Sequence, residues 1–277
     1  MYFKLLLLIL LWLGWVNLSI FLLLINLTVN KFGKIFFAGF CTSFAEDYNK
    51  FADPFKIELF KDLNDMKPGE KISVLEIGAG PGANFKYYNR DMNIQSVEPN
   101  HNFESHFVAN RNKYPKLEVK DLKIGYGEDL GAAGVEDSSV DAVVVTLVLC
   151  SVQDQAKCLS EIKRVLKPGG KFFYMEHILD DTEASIRIAQ KCFTSCGFWE
   201  FAFDGCCIDR LGELPAPGLE LELLFTTFRT TAEAVETAGF DKVEQKKYDL
   251  PLSDLMSPLF KLVRIFIKRH VMGVATK

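Results

Sequence analysis

The chain has 277 residues, 49% of them hydrophobic, with 32 Lys and Arg against 36 Asp and Glu and a formal net charge of -4. That balance gives no general attraction to nucleic acid, and the length suits one α/β domain of about 200 residues with additions. Seven cysteines, an odd number partly set in apolar runs, read as reduced thiols in a cytosol-facing domain; Cys206-Cys207 and the Cys192/Cys196 spacing lack a zinc-site pattern, so no metal is expected.

Residues 5–29, LLLLILLWLGWVNLSIFLLLINLTV, contain no charged residue. At about 1.5 Å per residue they exceed the roughly 30 Å hydrocarbon core of a bilayer, so residues 1–30 are read as an N-terminal membrane helix. No small-residue cleavage site ends the run, which favours a retained anchor over a signal peptide. Asn17 and Ser19 sit mid-segment and leave both a spanning helix and a hairpin open, while Lys31 and Lys34 downstream favour a cytosolic domain. Residues 31–68 form an amphipathic helical segment before the core, in which Phe32, Phe36, Phe37, Phe40 and Phe44 recur at helical spacing. Two readings stand for that face: packing on the core, or a membrane-proximal lid that feeds apolar substrates to a pocket. Pro54 punctuates the segment.

The domain at 69–277 alternates strands and helices. A strand at 72–78 is followed by a helix near 82–90, a strand at 94–100, a helix near 101–113 and a strand within 117–127. A strand follows at 140–150, whose apolar run AVVVTLVL fits a central strand covered on both faces, then a helix at 153–167 stopped by LKPGG, and a strand at 171–178. The end of the chain reads as a helix closed by Gly239 and two strands, at 241–251 and 268–277. This order implies an α/β fold, a doubly wound, mostly parallel sheet with a late antiparallel strand.

In SVLEIGAGPGANF, residues 73–85, three glycines crowd the end of the first strand. Glycine there lets a ligand approach the backbone, and the helix expected next would offer free N–H groups. Gly78, Gly80 and Ala83 satisfy G-x-G-x-x-A, so a nicotinamide cofactor is one reading. Glu98, 20 residues past Gly78, suits a ribose diol, but S-adenosylmethionine carries the same diol and the acid does not separate the two.

Taken together, VLEIGAGPG, VEPN, VDAVVVTLVLCSVQD, RVLKPGGKFFYMEH and DGCC resemble the class I S-adenosylmethionine-dependent methyltransferases, and among them the membrane-anchored alkyl-thiol S-methyltransferase family. The resemblance implies a Rossmann-like fold and S-adenosylmethionine as cofactor. It implies that Gly78, Ala79, Gly80 and Gly82 approach the methionine part and adenosine, that Glu76 orders the amino group, and that Glu98 holds the ribose. Glu128 and Asp129 fall where such enzymes contact the adenine edge, although the usual Asp-Ala ahead of the glutamate is missing. Residues 211–229 also depart from the family, as a lineage-specific insertion or a retained intron.

The implied activity is methyl transfer to small apolar thiols at the endoplasmic reticulum membrane and lipid droplets, with the catalytic domain facing the cytosol. An O- or C-methyltransferase of lipids or quinones and a non-catalytic membrane or lipid-droplet protein remain open beside it. His177, after the strand ending YMEH, is the first candidate base, with a structural hydrogen-bonded role as its alternative. Asp204 in FDGCC is the second, with turn formation as its alternative.

Overall fold

The computed structural model describes residues 2–195, 231–251 and 267–277, with side chains from residue 32 to 192 in the first of these. Asp204, Cys206, Cys207 and the departure at 211–229 lie outside the described residues.

Eight described strands form one sheet: β1 Ile72–Ile77, β2 Met92–Glu98, β3 Glu118–Val119, β4 Lys123–Ile124, β5 Val140–Thr146, β6 Leu166–His177, β7 Lys242–Asp249 and β8 Arg269–Thr276. Their order is β3-β2-β1-β5-β6-β8-β7, with β4 also beside β2. β8 runs antiparallel to both β6 and β7, and the remaining pairs are parallel. This is the mostly parallel sheet with one late antiparallel strand that the sequence implies. β5 is buried from Val140 to Val145 because both of its faces are covered.

On one face lies α1, Tyr2–Asn64, whose Tyr48, Ala52, Leu59, Phe60 and Leu63 pack on Val74, Val144, Phe173 and Met175. On the other, α3 (Gln155–Val165) and α5 (Thr231–Thr237) set Leu159, Ile162 and Val235 against Leu75, Val143 and Phe172. Two further helices, α2 (Glu104–Arg111) and α4 (Ala184–Ser195), complete the described helices.

Several expected elements are corrected. The helix near 82–90 is absent: Gly82 turns left-handed at φ +75°, buried Phe85 fills the turn, and only a 3-10 helix, Phe85–Tyr87, follows before Tyr88 is extended. The helix at 101–113 is a 3-10 turn, His101–Phe103, leading into α2, and the strand within 117–127 is two short pieces. α3 ends at Val165 and the chain passes at once into β6, with Gly169 at φ +73°. α1 continues through Pro54 and, without a break, through Asn17 and Ser19.

The apolar run at 5–29 belongs to the part of α1 whose side chains are not described. Among the described residues, no helix is long and apolar enough to cross a membrane.

Candidate active site

The carboxyl ends of β1, β2, β5 and β6 and the amino end of β8 meet at one edge of the sheet, and the polar residues of the α1 face gather there. Parallel sheets assemble ligand sites at this edge.

After β1 the chain passes through Gly78, Gly80 and Gly82 at φ +65°, +51° and +75°. A Cβ on Gly78 would meet Val148 Cγ2 at 2.2 Å, and one on Gly82 would meet Phe85 Cε2 at 2.3 Å, so both positions exclude side chains. The loop is pinned at Gly78, whose N–H donates to Val97 O at 2.7 Å, and buried Ala79 follows. Asn49 of α1 donates to Ala83 O at 3.0 Å and Asn110 of α2 to Gly82 O at 2.8 Å, bracing the loop from both sides.

Glu98 closes the cradle from β2. Buried at the strand end, it accepts from Gly80 N at 3.1 Å and from Asn100 N at 3.0 Å. A glycine loop that no Cβ can share, with a carboxylate hydrogen-bonded to its centre, fits S-adenosylmethionine, whose ribose diol offers two donors. The helix N-terminus expected beside it is missing; left-handed glycines take its place.

Glu76, the last polar residue of β1 on the α1 face, accepts from Asn84 Nδ2 at 2.7 Å and from Tyr88 Oη at 3.0 Å. Burial pushes its carboxyl up to about 7 against these bonds and the nearby Lys56. Asn84 in turn donates to Thr146 Oγ1 at 3.0 Å and accepts from Lys56 Nζ at 2.8 Å. Burial lowers the Lys56 ammonium to about 7, opposed by the charge of Glu76.

Glu128 and Asp129 stand differently. Glu128 is buried and accepts from the backbone N–H of Gln153 and of Asp154, tying its loop to the start of α3. Asp129 is exposed and accepts from Ala132 N at 3.0 Å. Both already hold backbone donors, Glu128 from the loop before α3 and Asp129 from its own loop.

His177 ends β6, buried, in register with His270 of β8, their rings perpendicular with centroids 6.3 Å apart. Burial favours neutral His177, but the neighbouring Cys150 and Glu176 outweigh it and raise its pKa. His270 goes the other way: burial, with His177 beside it, lowers it to about 3. Its Nδ1 lies 3.1 Å from Lys268 O, which can only accept, so Nδ1 carries the proton; Nε2 is buried with no hydrogen-bond partner among the described residues.

Above these rings α1 carries a stack of aromatics at every fourth residue. Phe36, Phe40, Phe44 and Tyr48 are spaced 6.2, 5.7 and 5.9 Å centroid to centroid, and Tyr48 lies 5.8 Å from His270. The stack starts at Phe36, 72% exposed, and ends at Tyr48, 2% exposed. The aromatic face of 31–68 thus joins the core at its inner end and is bare at its outer end.

The structure thus brings Glu76, the glycines, Glu98 and His177 to one edge. Sequence reading passed over Lys56, Asn84 and His270. Lys56 had a signal: it interrupts the stripe Tyr48, Ala52, Phe60, Leu63, all buried. His270 had one too, alternating with Met272 on the core-facing side of a strand.

The methyltransferase domain family matches residues 75–174. Human thiol S-methyltransferase TMT1A is 33% identical over 245 residues, covering 88% of this chain and 87% of that protein. Human thiol S-methyltransferase TMT1B is 30% identical over 223 residues, covering 80% of this chain and 78% of that one. A solved structure of a candidate sarcosine dimethylglycine methyltransferase from Galdieria sulphuraria has a TM-score of 0.54 at 14% identity, covering 81% of this chain and 85% of that chain; it supports the fold alone.

Proposed function

Because the chain belongs to the S-adenosylmethionine-dependent thiol S-methyltransferases, we propose that it methylates small apolar thiols at the endoplasmic reticulum membrane and lipid droplets, with its catalytic domain in the cytosol. One observation carries the apolar part of this reading: the aromatic stack of α1 leads from exposed Phe36 to buried Tyr48 over His270 and His177.

S-adenosylmethionine supplies an activated methyl group on a sulfonium sulfur. Gly78, Gly80 and Gly82 would let it lie against the backbone, Glu98 would accept from its ribose, and Glu76 would face its amino group. Tyr48 and Phe44, stacked on α1, and Leu147, which packs on the same core, would form the apolar acceptor side. A thiol with a pKa of about 8.5 is only a few per cent ionised at neutral pH, so a group that takes the S–H proton raises the reactive fraction. His177, buried at the end of β6 and inclined to hold a proton, would take this role.

The membrane reading is supported by the uncharged run at 5–29, by the helix that carries it unbroken into the domain, and by Phe32, Ile35 and Phe36, exposed where that run ends. Purified protein given methyl-labelled S-adenosylmethionine and a panel of thiols, phenols, amines and lipid quinones should label the thiols. Label on oxygen or nitrogen alone overturns the thiol assignment. Full-length protein should stay in the membrane pellet through carbonate washing, and deletion of residues 1–30 should release most of it; wild type recovered in a soluble fraction overturns the anchor.

A further inference from the structure

Lys56 sits where the apolar stripe of α1 calls for another hydrophobic residue, and it is 2% exposed. A lysine is rarely buried without a charged partner, because its ammonium loses its hydration. Among the described residues Nζ makes one hydrogen bond, to the neutral Asn84 Oδ1 at 2.8 Å, and lies 5.6 Å from the Tyr48 ring centre and 5.4 Å from that of Tyr87. Glu76 is reached only through Asn84, whose Nδ2 donates to Glu76 Oε1 at 2.7 Å. A buried cation and a buried anion held apart by one amide compensate each other poorly.

Both groups stand beside the glycine cradle, since Asn84 follows Gly82 by two residues and Glu76 precedes Gly78 by two. What the pair lacks is a ligand with one carboxylate and one ammonium a single carbon apart. We propose that Lys56 binds the α-carboxylate of the methionine part of S-adenosylmethionine while Glu76 takes the α-ammonium. This rests on the methyltransferase reading and goes beyond it, because the amino-acid end of the cofactor is then held from α1, outside the matched domain at 75–174. The helix that bears the apolar N-terminal run would be tied to the sheet by the cofactor itself.

The test is binding, measured by titration calorimetry on full-length protein in detergent. It uses S-adenosylmethionine and its decarboxylated form, which lacks only the carboxylate. Wild type should prefer the carboxylated ligand by roughly tenfold to a hundredfold, the range for a charge-assisted hydrogen bond. Lys56→Met should lose that preference and bind the two ligands alike, and Lys56→Arg should keep part of it. If Lys56→Met keeps the preference, or weakens both ligands equally, the assignment is wrong and the lysine is structural.

Should Lys56→Met fail to fold, wild type with isotopically methylated lysines gives a second readout by NMR. The Lys56 titration should move to higher pH with S-adenosylmethionine and not with the decarboxylated ligand; equal responses overturn the assignment. If wild type binds neither ligand, the methyltransferase reading falls first and takes this inference with it.

Discussion

Both edges of the sheet bury a carboxylate, and they treat it in opposite ways. At the amino edge, Asp141 of β5 accepts from Ser73 N at 2.9 Å, Lys67 Nζ at 2.6 Å and Lys167 Nζ at 3.0 Å. Burial would raise its pKa, yet these partners hold it below the usual carboxylate range. At the carboxyl edge, Glu76 meets an amide and a hydroxyl, and Glu176 accepts from Val148 N at 2.9 Å and Leu149 N at 3.1 Å with Oε2 unpartnered. Burial pushes both up to about 7. One edge spends its acid on stability; the other leaves charge undercompensated where a ligand arrives.

A glycine at each edge tests this division most severely. Gly78→Ala combines left-handed backbone with a clash against Val148, so about 3 kcal/mol of stability and most cofactor binding should be lost. Gly69, before β1, has φ +83° but open space around it, so Gly69→Ala should cost about 1 kcal/mol and leave binding intact. Denaturant melts and calorimetry decide it; equal losses at the two sites would erase the distinction.

His177→Gln should lower the rate of thiol methylation by about 100-fold at neutral pH while leaving cofactor affinity unchanged. The deficit should shrink as pH rises past about 8.5, where the thiol ionises unaided. A deficit constant across pH would make His177 structural.

The two acids themselves should then separate cleanly. Glu98→Ala is expected to weaken S-adenosylmethionine by about 1.5–3 kcal/mol with a native circular dichroism spectrum. Asp141→Ala should leave affinity alone and cost about 1–2 kcal/mol of stability, a modest figure because Lys67 and Lys167 are partly exposed and can turn to water. In wild type the Asp141 contribution is present above the ordinary aspartate range and fades as pH falls through its depressed value, so the two proteins should converge in acid.

The strands were legible because their cues are local. The run AVVV at 142–145 is apolar throughout and reads as a strand covered on both faces, and three glycines after VLEI mark a cradle wherever they fall. The turn at 82–90 was not, because what prevents a helix there is Phe85, Tyr87 and Tyr88 finding partners on α1 and α2, contacts that periodicity does not carry. The backbone donors that Glu128 and Asp129 hold were hidden for a like reason, since Gln153 and Asp154 reach Glu128 from a distant part of the sequence. His177 could be placed at a strand end, but its pairing with His270 depends on the register between two strands, in which the paired residues lie 93 positions apart in sequence.

The smallest effect follows from the undercompensated pair. Glu76 has a folded pKa raised from 4.5 to about 7, so its contribution favours the folded state in acid and is lost as pH rises through that interval. Lys56 has a folded pKa lowered from 10.5 to about 7, so its contribution is present in alkali and is lost as pH falls toward neutrality. The two slopes meet, and the cofactor-free protein should show a local minimum in stability near pH 7. Melting curves from pH 5 to 9, with Glu76→Gln/Lys56→Met as the reference that lacks both groups, isolate the dip from every other titration. Saturating S-adenosylmethionine should fill it, since each charge then has a counter-charge. A difference curve that is flat across neutrality would mean that Glu76 and Lys56 already compensate each other through Asn84, and the contrast between the two edges would lose its energetic basis.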